Sequence, residues 1–174
     1  MSVAMAEPLA GFDLDPHLFK STQDAVSSSL SMCNITARCV GISKIPAHEP
    51  GIITGLIGVH GKVSGFITVN MAEPFALAAV GGLLQDRFDK LTTQVVDGVG
   101  EITNLIVGGI KKTLSTTPWA FTHITVPSVI VGSGYKMAFA RGLEYVCVTF
   151  EQDGSEAVML DDRMMQVSIS LLRL

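Results

Sequence analysis

Apolar positions along the chain change period several times, and each change marks an element. From Leu14 the pattern is helical. Leu18, Thr22, Ala25, Val26 and Ser29 recur at three- and four-residue spacing to about Met32. Asp15-Pro16 supplies an N-cap and a proline at the first helical position. Ile35 to Ile45 predicts a strand, ended by Pro46 and Pro50. Ile53, Gly55, Ile57 and Val59 then alternate, as do Val63, Gly65, Ile67 and Val69, with His60-Gly61-Lys62 between the two runs. That is a hairpin. Glu73-Pro74 opens a short helix to about Leu84, and a longer helix runs from about Asp89 to Leu114, stopping before Pro118. Ala120 to Val126 and Ser128 to Val131 read as extended. Tyr145 to Phe150 alternates up to the turn signal Asp153-Gly154, and Val167, Ile169 and Leu171 alternate with Ser168 and Ser170 in a final, half-buried strand.

This order predicts an α+β fold of two layers, long helices packed on a mostly antiparallel sheet. It also reads as one unit used twice, a helix leading into strands and a hairpin. A single domain is expected over residues 1–174, with 1–13 as a flexible N-terminal segment.

The long helix carries the candidate chemistry. At 100° per residue, Val95, Val99, Ile102, Ile106, Ile110 and Thr113 fall on one side. Asp97, Glu101, Asn104, Gly108 and Lys111 fall within about 80° of one another on the opposite side. The first stripe is the one to bury. The second reads either as an ordinary solvated face or as a surface offered to a partner. Its composition is costly for a helix: Asn sits in mid-helix, and glycines stand at 98, 100, 108 and 109, each about 1 kcal/mol worse than Ala. Gly100 and Gly108 flank the Glu101/Asn104 pair and leave it thinly covered, as if another surface comes close.

Charge and composition narrow the classes. Charged residues make up 16% of the chain, against about 25% in an average soluble protein, while 48% is hydrophobic. Disorder is excluded, and some apolar surface is expected to be covered by a partner or a second copy. The net charge is −4 and the only adjacent basic pair is Lys111-Lys112, which argues against nucleic acid. Three cysteines without a Cys-x-x-Cys pair, and four scattered histidines (17, 48, 60, 123), give no disulfide framework and no metal-ligand spacing. Gly132-Ser133-Gly134 lacks the spacing of a nucleophile elbow. Met1 to Gly11 has neither the basic start nor the apolar core of a signal peptide. The longest charge-free run, Thr113 to Tyr135, is interrupted by Pro118 and Pro127 and is rich in hydroxyls, unlike a membrane span. A cytoplasmic protein away from membranes is expected.

Asp97, Glu101, Asn104 and Pro127 together reproduce a spaced pattern: Asp, three residues, Glu, two residues, Asn, twenty-two residues, Pro. In this the chain resembles the CheC/CheX/FliY family of chemotaxis phosphatases, most closely the CheX type. Four fixed residues at background frequencies near 5% would match by chance in about one chain of this length in a thousand. The resemblance implies a two-layer CheC-like fold and hydrolysis of the phosphoaspartate of a CheY-type response regulator. It implies Asn104 as the residue that positions the attacking water and Glu101 as the partner of a receiver Lys, with Asp97, Gly100, Gly108 and Lys111 around them on the partner-binding face. It implies no cofactor from this chain, with Mg²⁺ carried by the receiver, and a homodimer formed through the sheets, to which an apolar strand such as Gln166 to Leu172 could contribute. In the first half, Asp15, Phe19 and Thr22 stand at the same spacing, with Pro46 one position further away than its counterpart. Phe cannot pair with Lys and Thr is shorter than an amide, so that half is expected to be inactive. The alternative is a non-catalytic domain that docks on a receiver or on a switch ring, since the fold also resembles the middle domain of the flagellar switch protein FliM.

Overall fold

A computed structural model describes residues 14–45, 51–135 and 141–174. The expected N-terminal segment 1–13, Pro46 and Pro50 lie outside these residues. Three helices, α1 (Pro16–Met32), α2 (Glu73–Leu84) and α3 (Thr93–Leu114), pack on seven strands: β1 (Ala37–Ser43), β2 (Ile53–Gly61), β3 (Val63–Met71), β4 (Phe121–Ile124), β5 (Ser128–Val131), β6 (Glu144–Gln152) and β7 (Met164–Arg173). The sheet order is β1-β6-β7-β3-β2-β4, with β5 also on β2, and every pairing is antiparallel.

Local chemistry sets the helix ends. Asp15 caps α1, its Oδ1 accepting from the His17 amide at 2.9 Å, and Pro16 occupies the first turn. The long helix starts at Thr93 rather than Asp89, because Thr92 Oγ1 accepts from the Val95 amide and supplies the cap. Lys111 and Lys112 lie in its last turn, favourable for the helix dipole.

One face of the sheet buries Ile53, Ile57, Val63, Ile67, Val69, Val167, Ile169 and Leu171 in a core shared with the helices. From α3 this core receives Val95, Val99, Ile102, Ile106, Ile110 and Leu114. Thr113, expected on the buried stripe, is exposed at the last turn, its hydroxyl donating to the Gly109 carbonyl; Leu114 takes its place inside.

The strand formed by Gln166 to Leu172 departs from the expectation. Its alternation predicts one wet face and a strand able to join a neighbour's sheet, yet β7 is an interior strand between β6 and β3. Ser168 and Ser170 are buried with the apolar residues, on the sheet face away from the helices. The centre of that face is polar yet buried, with Thr54, Thr68 and Asn70 beside the two serines. Tyr145 shares a hydrogen bond with Ser168, and Asn70 Nδ2 donates to the Gly51 carbonyl and to Thr54. Alternation therefore reports polarity here, not exposure. With its ladders filled on both sides, β7 cannot extend a neighbour's sheet; the path ends at β1 on one side and at β4 and β5 on the other.

Candidate functional site

The site is built on α3, and the sheet fixes that helix from below. Gly55 of β2 has no side chain, and a Cβ there would overlap Thr103 of α3, so the helix rests directly on the strand. Thr103 is fully buried and satisfies its hydroxyl on the Val99 carbonyl at 2.7 Å. Close approach continues on the flanks. A Cβ on Gly98 would collide with Val80 of α2, and one on Gly109 would lie 2.9 Å from the Ala25 Cβ of α1. These glycines let three helices pack tightly, which offsets their propensity cost.

Gly100 faces the other shoulder. It is buried, and a Cβ there would lie 3.5 Å from Val129 Cγ2 and 3.7 Å from Pro127 Cγ. The surface that comes close to Gly100 is the protein's own β4–β5 edge. The sequence reading places it on the open face; the structure turns it beneath Pro127. Pro127, twenty-three positions after Asn104, thereby touches the site helix one turn before Asn104. Val129, which sequence spacing did not single out, shares that contact; only its place in an apolar run hinted at it.

The rest of the stripe is open. Asp97 and Glu101 are exposed, and Asn104, Gly108 and Lys111 are half-buried. Glu101 and Asn104 are three residues apart, so they are neighbours on the helix surface. Among the described residues, the side chains of Asp97, Glu101, Asn104 and Lys111 make no hydrogen bond or ion pair. A neutral amide and a carboxylate, both unengaged and held by a rigid helix, can each accept from a water or a cation, and the amide can also donate. Gly108 alone among the helix glycines has nothing within 4 Å of the position its Cβ would take.

The first half is arranged otherwise. Phe19 packs against the core and Thr22 is buried, its hydroxyl donating to the Leu18 carbonyl at 2.8 Å. Asp15 accepts from the indole Nε1 of Trp119 at 2.6 Å, and the Arg173 guanidinium lies 4.1 Å over that ring. Trp119 itself is buried just beyond the end of the long helix.

No helix among the described residues is long and apolar enough to cross a membrane. No group of three or more His, Cys, Asp or Glu among them is placed to hold a metal ion. No curated protein matches the chain. Solved structures do. CheX from Vibrio vulnificus is 23% identical and superposes with a TM-score of 0.74 over 88% of this chain and 98% of its own. The CheX–CheY–BeF₃–Mg²⁺ complex from Borrelia burgdorferi matches at 23% identity and a TM-score of 0.70, over 89% of this chain and 97% of that one. A chain of the FliG–FliM complex from H. pylori matches at 10% identity and a TM-score of 0.62, over 90% and 94%. The family model for the chemotaxis phosphatase CheX matches residues 53–151, more than half of the chain and the whole of α3 with the β4–β5 edge. The chain belongs to the CheX family of chemotaxis phosphatases.

Proposed function

We propose that this protein hydrolyses the phosphoaspartate of a CheY-type receiver, using the open face of α3 as its whole contribution to the reaction. The observation that carries this reading is the pair Glu101 and Asn104. They are neighbours on one helix face and, among the described residues, have no intramolecular partner. The family relation and the solved CheX–CheY complex support a receiver as the partner.

An acyl phosphate already has a good leaving group, so placing a water in line is most of what hydrolysis needs. Water attacks phosphorus, the bond from phosphorus to the aspartyl oxygen breaks, and free carboxylate and inorganic phosphate result. Asn104 cannot act as a base at neutral pH; its amide accepts from and donates to that water and fixes its position. Glu101 pairs with a Lys of the receiver and sets the docking register. Asp97 contributes at the rim, one turn before Glu101. Mg²⁺ resides on the receiver and neutralises charge on the phosphoryl oxygens. The protein acts in the cytoplasm as a single domain and as a homodimer formed through the sheet, with β1 as the edge away from the α3 face.

The test mixes the purified protein with a phosphorylated CheY-type receiver from the same genome and Mg²⁺, and follows loss of the phosphoaspartate. Acceleration that Glu101→Ala reduces and Asn104→Ala removes supports the reading. A second reading, a docking module without catalysis, draws on the fold likeness to the FliG–FliM complex chain. Binding of the receiver without acceleration would select it.

A further inference from the structure

We propose that the receiver is gripped at a second point on this face, by an apolar pocket that begins one helical turn beyond Asn104. The inference rests on the phosphatase reading and names how that partner is held. The pocket has a volume of about 410 Å³. Gly108, Ala120 and Phe121 line it together with Lys111, Lys112 and two hydroxyl side chains.

Three observations point to an occupant. The first is Gly108. A glycine inside a helix is less stable than alanine, and its neighbours Gly98, Gly100 and Gly109 each face a packed surface. A Cβ at Gly108 would meet nothing. The fold gains no packing from its absence; what it does is keep the pocket open. The second is charge. Among the described residues Lys111 and Lys112 make no ion pair, so the pocket carries positive charge. A phosphoaspartate site that holds Mg²⁺ is rich in carboxylates, because Mg²⁺ selects oxygen ligands. The third is continuity. Asn104 and Gly108 lie four residues apart on one stripe, about 6 Å along the axis, so a domain seated on Asn104 also reaches the pocket. The occupant is therefore an apolar side chain of the phosphorylated receiver, next to an acidic residue that meets Lys111 and Lys112.

The test measures phosphate release as a function of the concentration of the phosphorylated receiver. Gly108→Leu fills the opening and is expected to raise KM about tenfold with kcat retained, the loss of one anchoring contact. The double variant Lys111→Gln/Lys112→Gln raises KM and makes it less sensitive to salt. Gly108→Ala controls for folding, since it should raise the melting temperature. Binding to the receiver loaded with Mg²⁺ and beryllofluoride is measured in parallel and must weaken in the same variants. If wild type hydrolyses and both variants keep its KM and its affinity, the pocket is overturned while the phosphatase reading stands. If wild type binds without hydrolysing, the binding arm alone decides: unchanged affinity in Gly108→Leu overturns the proposal. If wild type neither binds nor hydrolyses with any receiver of the genome, both readings fall.

Discussion

Helices α1 and α3 carry side chains at one spacing and spend them in opposite ways. Asp15, Phe19 and Thr22 of the first turn inward or sideways. Asp15 caps its helix and holds the Trp119 indole, Phe19 packs on the core, and the Thr22 hydroxyl is taken by the Leu18 carbonyl. Asp97, Glu101 and Asn104 of the second point to the open face and bond nothing among the described residues. A side chain committed inside the fold contributes stability and is lost to a partner; an uncommitted one contributes little to stability and is available. Spacing alone does not separate the two cases. Residue chemistry does, because Phe is retained by the core and Thr is short enough to bond its own helix.

Writing the α3 residues into α1 should have the largest effect. Phe19→Glu with Thr22→Asn should destabilise the protein by about 3 kcal/mol, since Thr22 is fully buried, Phe19 is half-buried against the core and neither new side chain has a partner. It should create no second active face. Denaturant unfolding and the phosphate assay check both halves of that statement. Next in size is Asp15→Ala, which removes a helix cap and a charge-assisted hydrogen bond to Trp119. A loss of about 2 kcal/mol is expected, with a change in the emission of this sole tryptophan. The adjacent glycines of α3 give effects of opposite sign in the same melting experiment. Gly109→Leu forces α1 and α3 apart at Ala25 and costs about 2 kcal/mol. Gly108→Ala meets nothing and gains about 1 kcal/mol. The smallest effect concerns the end of α1. Burial pushes the Cys33 thiol up to about 11, and also raises Cys39, against a smaller opposing contact from the Gly41 backbone. Burial disfavours the thiolate, so at pH 8 Cys33 of the folded protein should resist alkylation. Its labelling should rise only as the pH climbs toward its raised value or as the protein unfolds.

Much of this was legible in the residues. The helix at Pro16 and the hairpin around Gly61 follow from local rules, a cap with proline and two alternating runs. The open stripe of α3 followed from period alone. What failed depended on the rest of the fold. Ser168 and Ser170 look solvent-facing in sequence, yet both are buried at the centre of the second sheet face, and nothing local to β7 says so. Gly100 looked open because a glycine does not announce which surface approaches it; Pro127 and Val129 do, across a chain separation of more than twenty residues. The pocket beside Gly108 was hidden for the same reason, since Ala120 and Phe121 reach it from beyond the end of the helix.

If the uncommitted face of α3, and not the matching positions of α1, carries the reaction, substitutions on the two helices must differ in effect. The most direct measurement compares Asn104→Ala with Thr22→Ala, at equal concentration, in a single phosphoaspartate-decay experiment on a CheY-type receiver. The expected result is a fall of about a hundredfold or more for Asn104→Ala, the cost of a misplaced water, and the wild-type rate for Thr22→Ala. A wild-type rate for Asn104→Ala, or an equal loss for Thr22→Ala in a variant that remains folded, would contradict it.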